Sequence, residues 1–136
     1  IVGKIRGVGK RTVAIVIAFG DPRWFDTLSG FLSWYGCHED RVNRCDHWLK
    51  GQTTDIIGSV WATEKQHLDE ENWNYYAFYN YLKGQGYPWW KAKNRIRTFL
   101  LKEIYCTLNE PMGPYTLLVN GRPKWFYPRE VMRVED

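Results

Sequence analysis

At 136 residues, with 25% charged and 44% hydrophobic side chains, the chain fits one globular domain, too short for two cores and too apolar for disorder. Its net charge of +4 is smaller than a dedicated nucleic-acid binder usually carries, and no stretch approaches the roughly 20 apolar residues that a membrane-spanning helix needs. The unusual feature is the aromatic content of 17%, with eight Trp, nine Tyr and six Phe, so several rings are expected at the surface as binding groups.

Residues 1–11 form a basic, glycine-spaced lead-in with Lys4, Arg6, Lys10 and Arg11. The globular stretch 12–136 follows, with no internal repeat and no linker long enough to divide it. Val13–Phe19, a β-branched apolar run closed by Gly20-Asp21-Pro22, predicts a buried strand. The run is short and is followed by no small-residue cleavage site, so it does not read as a signal peptide. The missing initiator Met points to a processed chain or a fragment. In Phe25–Tyr35, Leu28, Phe31, Leu32 and Tyr35 recur at i, i+3, i+4 and i+7, which predicts an amphipathic helix stopped by Gly36.

The polar segment GCHEDRVNRCDHW, residues 36–48, is expected to lead into a strand near Cys45–Lys50. A second short strand is expected over Asp55–Ala62, with Ile57 and Trp61 sharing a face. Trp73–Lys83 carries two signals. Alternating Trp73, Tyr75 and Ala77 favour a strand at its start, while Tyr75, Phe78, Tyr79 and Leu82 make a helical stripe towards its end. Asp69 and Glu70 precede that stripe as caps and Gly84 stops it. Trp89–Tyr105 is the clearest helix, with Trp89, Ala92, Ile96, Phe99 and Leu100 on one side and Lys91, Arg95 and Lys102 along a basic edge. Asn120-Gly121, between Tyr115–Val119 and Arg122–Tyr127, is the signature of a tight hairpin whose second strand Pro123 weakens. Pro128 opens a last helical turn through Met132.

Three cysteines exclude a complete disulfide framework and fit a reducing compartment. Cys37 and His38 are adjacent, and Cys45 and His47 are separated by one residue, spacings that match no zinc knuckle. No bound metal and no cofactor is expected, and Cys37 reads as a small, half-buried apolar residue. Asp55, Glu64 and Lys65 do not follow a nuclease pattern. A catalytic thiol needs a histidine within hydrogen-bond reach, not within short sequence distance. Cys106 and His47 meet the composition requirement, with Asp55 or Glu64 as the third, orienting group.

The order of these features resembles the permuted papain-like members of the NlpC/P60 superfamily, thiol hydrolases that place the catalytic His before the catalytic Cys. The resemblance runs through the strand Ala14–Phe19, the helix Thr27–Trp34, a strand entered at His47 and the Trp-bearing segment Asn72–Phe78. It continues through Gly86-Tyr87-Pro88-Trp89-Trp90, Ile104-Tyr105-Cys106-Thr107 and Tyr127-Pro128-Arg129-Glu130-Val131. It implies an α+β fold, a small antiparallel sheet packed with helices in circularly permuted papain-like topology, and a phage or bacterial source. It further implies Cys106 as nucleophile, His47 as general base and then acid, and Tyr87, Trp89 and Trp90 along a cleft for a peptide, peptidoglycan or lipid-type substrate. The chain departs from the family in Asp46-His47-Trp48, where Ser often precedes the His, and in Cys106-Thr107-Leu108, where Ser-Glu often follows the Cys. Pro111 also leaves little room for the usual helix behind the nucleophile.

The rival expectation is a non-enzymatic interaction or virion-type structural protein. Its aromatic cluster from Trp73 to Trp90, beside Lys91, Lys93, Arg95 and Arg97, would stack on nucleic-acid bases and neutralise phosphates, or meet a protein partner in an assembly. Either reading places the chain in the cytoplasm or within a larger assembly.

Overall fold

The computed structural model describes residues 8–37, 46–66, 74–108, 118–119 and 122–123. For residues 106, 107, 118, 119, 122 and 123 the description is of the backbone alone. The described residues form five α-helices: α1 (Lys10–Gly20), α2 (Leu28–Trp34), α3 (His47–Lys65), α4 (Tyr75–Gly84) and α5 (Trp89–Leu108). A 3-10 turn over Pro22–Trp24 links α1 to α2. The one β feature among the described residues is a ladder of β1 (Leu118–Val119) with β2 (Arg122–Pro123). Val119 stands opposite Arg122 in that ladder, which fits the two-residue Asn-Gly connection expected from sequence.

The expected α+β architecture is therefore corrected. Val13–Phe19 lies within α1, and Asp55–Ala62 and most of Cys45–Lys50 lie within α3, so the sheet of the permuted papain-like topology is replaced by packed helices. In α1 the apolar run is not buried on two sides as a central strand would be. Val16 and Gly20 are buried and Val13 packs on the core, at helical spacing, while Ile17 and Phe19 face outward. β-branched residues lose only tenths of a kcal/mol of helix propensity each, about 0.7 at most, so tertiary packing decides.

α3 hides its periodicity in polar residues. Its buried stripe is Leu49, Thr53, Ile57, Val60 and Glu64, spaced by three or four, and two of the five are not apolar. The helix opens with Asp46, whose carboxylate accepts the Leu49 amide at 3.0 Å. α2 and α4 match the expected stripes, burying Phe31 and Leu32, and Tyr75, Phe78 and Leu82. Tyr75 is already helical, so the strand expected at the start of that segment is not formed there, and Trp73 lies outside the described residues.

Both of these helices stop in the same way. Gly36 (φ 75°) and Gly86 (φ 91°) take the left-handed conformation that L side chains avoid. The amides around them fold back on the last turn, Gly36 to Ser33 and Cys37 to Leu32 in one case, Gly86 to Lys83 and Tyr87 to Leu82 in the other. Gly84, expected as the stop, is instead the last helical residue.

α5 is the central element and packs against α2, α3 and α4, while α1 packs against α3. Ala92, Ile96, Leu100, Leu101, Ile104 and Tyr105 of α5 meet Phe31, Tyr35, Leu49, Ile57, Val60, Tyr75 and Leu82 in one core. The caps Asp69 and Glu70 and the turn from Pro128 lie outside the described residues.

Candidate functional site

Three of the residues expected to form a thiol-hydrolase site, His47, Asp55 and Glu64, are spread along one helix. His47 is the first residue of α3 and is exposed. Asp55 lies eight residues further along the same helix, about 12 Å at the α-helical rise, and Glu64 lies about 25 Å along it. Neither can orient the His47 imidazole. Glu64 is fully buried and serves a different purpose. Its Oε2 accepts the Tyr75 amide at 2.7 Å, while the Asn74 side-chain amide donates to the Glu64 carbonyl at 2.7 Å. Asn74 Oδ1 in turn accepts from Ala77 at 3.1 Å. Glu64 and Asn74 thus join the end of α3 to the start of α4, satisfying donors that a helix N-terminus leaves open.

Cys106 lies in the last turn of α5, the end at which the helix dipole disfavours negative charge, and its side chain is outside the described residues. Of the opening Cys/His segment, His38 and Cys45 are also outside them. Cys37 is a free, half-buried thiol. Burial pushes its pKa up, against the opposing effects of the Arg97 charge and a hydrogen bond with Thr98. Among the described residues no three His, Cys, Asp or Glu side chains gather as a metal cluster would require.

The residues assigned to substrate contact form a more coherent surface. The Gly86 turn and Pro88, whose carbonyl accepts the Lys91 and Ala92 amides, set the direction in which α5 begins. Trp89 and Trp90, in its first turn, are 59% and 57% exposed. The sequence pattern puts Trp89 on the buried side of the helix; in the fold it precedes the first buried residue, Ala92, and lies beyond the reach of the core.

Cations from the same helix lie over aromatic rings along its length. Lys91 Nζ is 5.6 Å from the Tyr87 ring centroid and Lys93 Nζ is 5.4 Å from that of Trp89. The Phe99 ring has the Arg95 guanidinium at 5.5 Å and Lys102 Nζ at 4.8 Å. All of these pairs are three or four residues apart, the spacing at which helical side chains meet. Among the described residues Trp90 makes no ring contact, and more than half of it is exposed.

Arg97 does not belong to this surface, although the sequence groups it there. It is buried, and its guanidinium donates to the carbonyls of Tyr35 and Gly36.

A second ring cluster is not evident from sequence. Trp61 packs against Tyr76 with centroids 4.9 Å apart and the rings tilted by 53°, and Lys65 Nζ lies 5.7 Å from Trp61 and 5.9 Å from Tyr76. Its signal is the four-residue spacing of Trp61 and Lys65, which is informative only once the segment is known to be helical. No helix among the described residues is long and apolar enough to cross a membrane. No family model matches the chain, and no curated protein or solved structure was found to match it.

Proposed function

We propose that this protein is a non-enzymatic module that binds single-stranded nucleic acid along α5. The observation that carries the reading is the union of two exposed indoles, Trp89 and Trp90, with a cationic stripe in a stretch free of acids. From Asn72 to Lys102 there is no Asp or Glu, while Lys83, Lys91, Lys93, Arg95 and the half-buried Lys102 supply positive charge besides the buried Arg97. Lys91, Arg95 and Lys102 come round on one side of the helix, four and seven residues apart.

Indole faces stack on any base and the cations neutralise the backbone, so such a surface binds with little sequence preference. The local excess of positive charge also supplies what the modest net charge does not. A location in the cytoplasm or inside an assembly that packages nucleic acid fits this reading.

The cysteine-hydrolase expectation draws no support from the described residues, because Asp55 and Glu64 stand turns away from His47 on one rigid helix.

The test is fluorescence anisotropy of an end-labelled oligothymidylate, titrated with the full chain at several salt concentrations. Binding should weaken with salt, with a log–log slope of about −0.7 per neutralised phosphate, or roughly −2 for the three-cation stripe. A duplex of the same length should bind less well, because its bases are not free to stack. Charge reversal of Lys91, Arg95 and Lys102 should abolish binding. Absence of binding at low salt, or binding unchanged by that reversal, overturns the reading.

A further inference from the structure

An open groove between α1 and α3 has a volume of about 240 Å³, and none of its described lining residues comes from α5. Its walls carry one cation and one anion, Arg11 from the first turn of α1 and Asp55 from the middle of α3. Among the described residues the two charges are paired neither with each other nor with any other group. The rest of the lining combines the aliphatic Ile15, Val16 and Ile56 with the neutral polar Thr12, Gln52, Thr53 and Ser59. Opposite charges in one groove that also presents aliphatic and neutral polar side chains match a ligand that carries both a carboxylate and an ammonium on a short aliphatic body.

We propose that this groove binds a small zwitterion of the amino-acid class, its carboxylate held by Arg11, its ammonium by Asp55, and its aliphatic part resting on Ile15, Val16 and Ile56. Guanidinium and carboxylate are well suited to these roles. The first presents a planar fork to a carboxylate, and the second accepts the N–H donors of an ammonium. A groove of this volume admits an amino acid. The proposal is independent of nucleic-acid binding on α5, and either can fail alone.

The test is an amide chemical-shift titration of the isotope-labelled full chain with three probes of similar shape: L-leucine, 4-methylpentanoate, which lacks the ammonium, and 3-methylbutylamine, which lacks the carboxylate. L-Leucine should shift the amides of Arg11–Val16 and Gln52–Ser59 saturably, and each single-charge analogue should bind at least about tenfold more weakly. Arg11→Gln and Asp55→Asn alter exposed side chains and leave the core intact, and each should weaken L-leucine by a similar factor. No saturable shift with L-leucine, equal shifts with all three probes, or unchanged affinity in both variants would overturn the proposal.

Discussion

Arg97 and Tyr35 are joined across 62 residues of sequence: the Arg97 Nη1 donates to the Tyr35 carbonyl at 2.6 Å, and Nη2 reaches the neighbouring Gly36 carbonyl at 3.0 Å. These carbonyls follow the end of α2, where a helix leaves acceptors unpaired and gathers partial negative charge. A buried guanidinium from α5 therefore serves as the C-terminal partner of α2, and Asn94 Oδ1 accepts from Nη2 at 2.8 Å. Arg97→Met removes the donors and strands both carbonyls inside the core. It should lower stability by about 1–3 kcal/mol for each stranded carbonyl, read as a lower urea midpoint, and Arg97→Lys should recover only part of the loss because one ammonium cannot serve both carbonyls in the same plane.

Glycines in helices respond in opposite directions here. A Cβ on Gly20 would lie 2.7 Å from Tyr35 Oη and 2.9 Å from two atoms of its ring. That ring is fixed, because its hydroxyl donates to the Gly20 carbonyl at 2.8 Å and the side chain is fully buried. Gly20→Ala should therefore destabilise by about 1–3 kcal/mol despite alanine's better helix propensity. At Gly51 and Gly58, within α3, a Cβ meets nothing within 4 Å. Alanine at each should stabilise by about 0.4–1 kcal/mol, so thermal melts of the three variants should fall on both sides of the parent.

These residues also explain which parts of the fold the sequence discloses. α2 and α4 carry their core-facing apolar residues at i, i+3, i+4 and i+7 and end at left-handed glycines, and α5 buries Ala92, Ile96, Leu100 and Ile104 at four-residue steps, so the helical period is readable in all three. α3 reads as strands because Thr53 and Glu64 occupy its buried stripe, Thr53 with its hydroxyl donating to the Leu49 carbonyl at 2.9 Å. α1 reads as a strand because a short run of Val, Ile and Ala has no period to distinguish the two states. Taking α1 and α3 for strands removes the scaffold that shows His47, Asp55 and Glu64 to be far apart. The α5 surface is legible, since it depends on one helix alone; the exception is Arg97, whose partners come from a distant turn.

Glu64 illustrates how a buried carboxylate takes a structural role. Its Oε2 is the acceptor for the Tyr75 amide at the start of α4. Glu64→Ala leaves that N–H without its acceptor in a buried site, and a loss of about 1–3 kcal/mol is expected. Glu64→Gln keeps an acceptor oxygen and should lose less. Hydrogen exchange separates this from a general packing defect: in Glu64→Ala the Tyr75 amide should exchange faster than amides in the centre of α5.

Asp21 gives stability a dependence on acid. Its carboxylate receives Arg23 Nε at 2.9 Å and Nη2 at 2.6 Å, and also the Arg23 amide at 2.9 Å. The Arg23 side-chain hydrogen bonds hold the Asp21 carboxyl below its ordinary value, against a smaller opposing effect of burial. The folded state therefore favours the ionised form. The contribution is fully present above the unfolded value of about 3.9 and is lost as pH falls through the lower folded value. Because the Arg23 side chain is 57% exposed, solvent screening limits the contribution to about 1 kcal/mol or less. Asp21→Asn retains an acceptor for the Arg23 amide and should show a shallower loss of stability below about pH 4 in urea titrations.

Trp90 and Trp24 form a matched pair for testing the α5 surface. They are 57% and 62% exposed, so alanine at either position should leave the melting temperature nearly unchanged. Their settings differ: Trp90 opens a helix with Lys91 and Arg95 in its next turn, whereas Trp24 closes the 3-10 turn beside the Asp21–Arg23 pair, where the cation is already matched. A stacked base is worth about 1–3 kcal/mol by alanine substitution, which corresponds to roughly 5- to 140-fold in affinity. Trp90→Ala should weaken oligothymidylate binding within that range, while Trp24→Ala should not change it. Equal losses from both variants would instead mean that the exposed indoles act through non-specific adhesion, and the α5 assignment would fall.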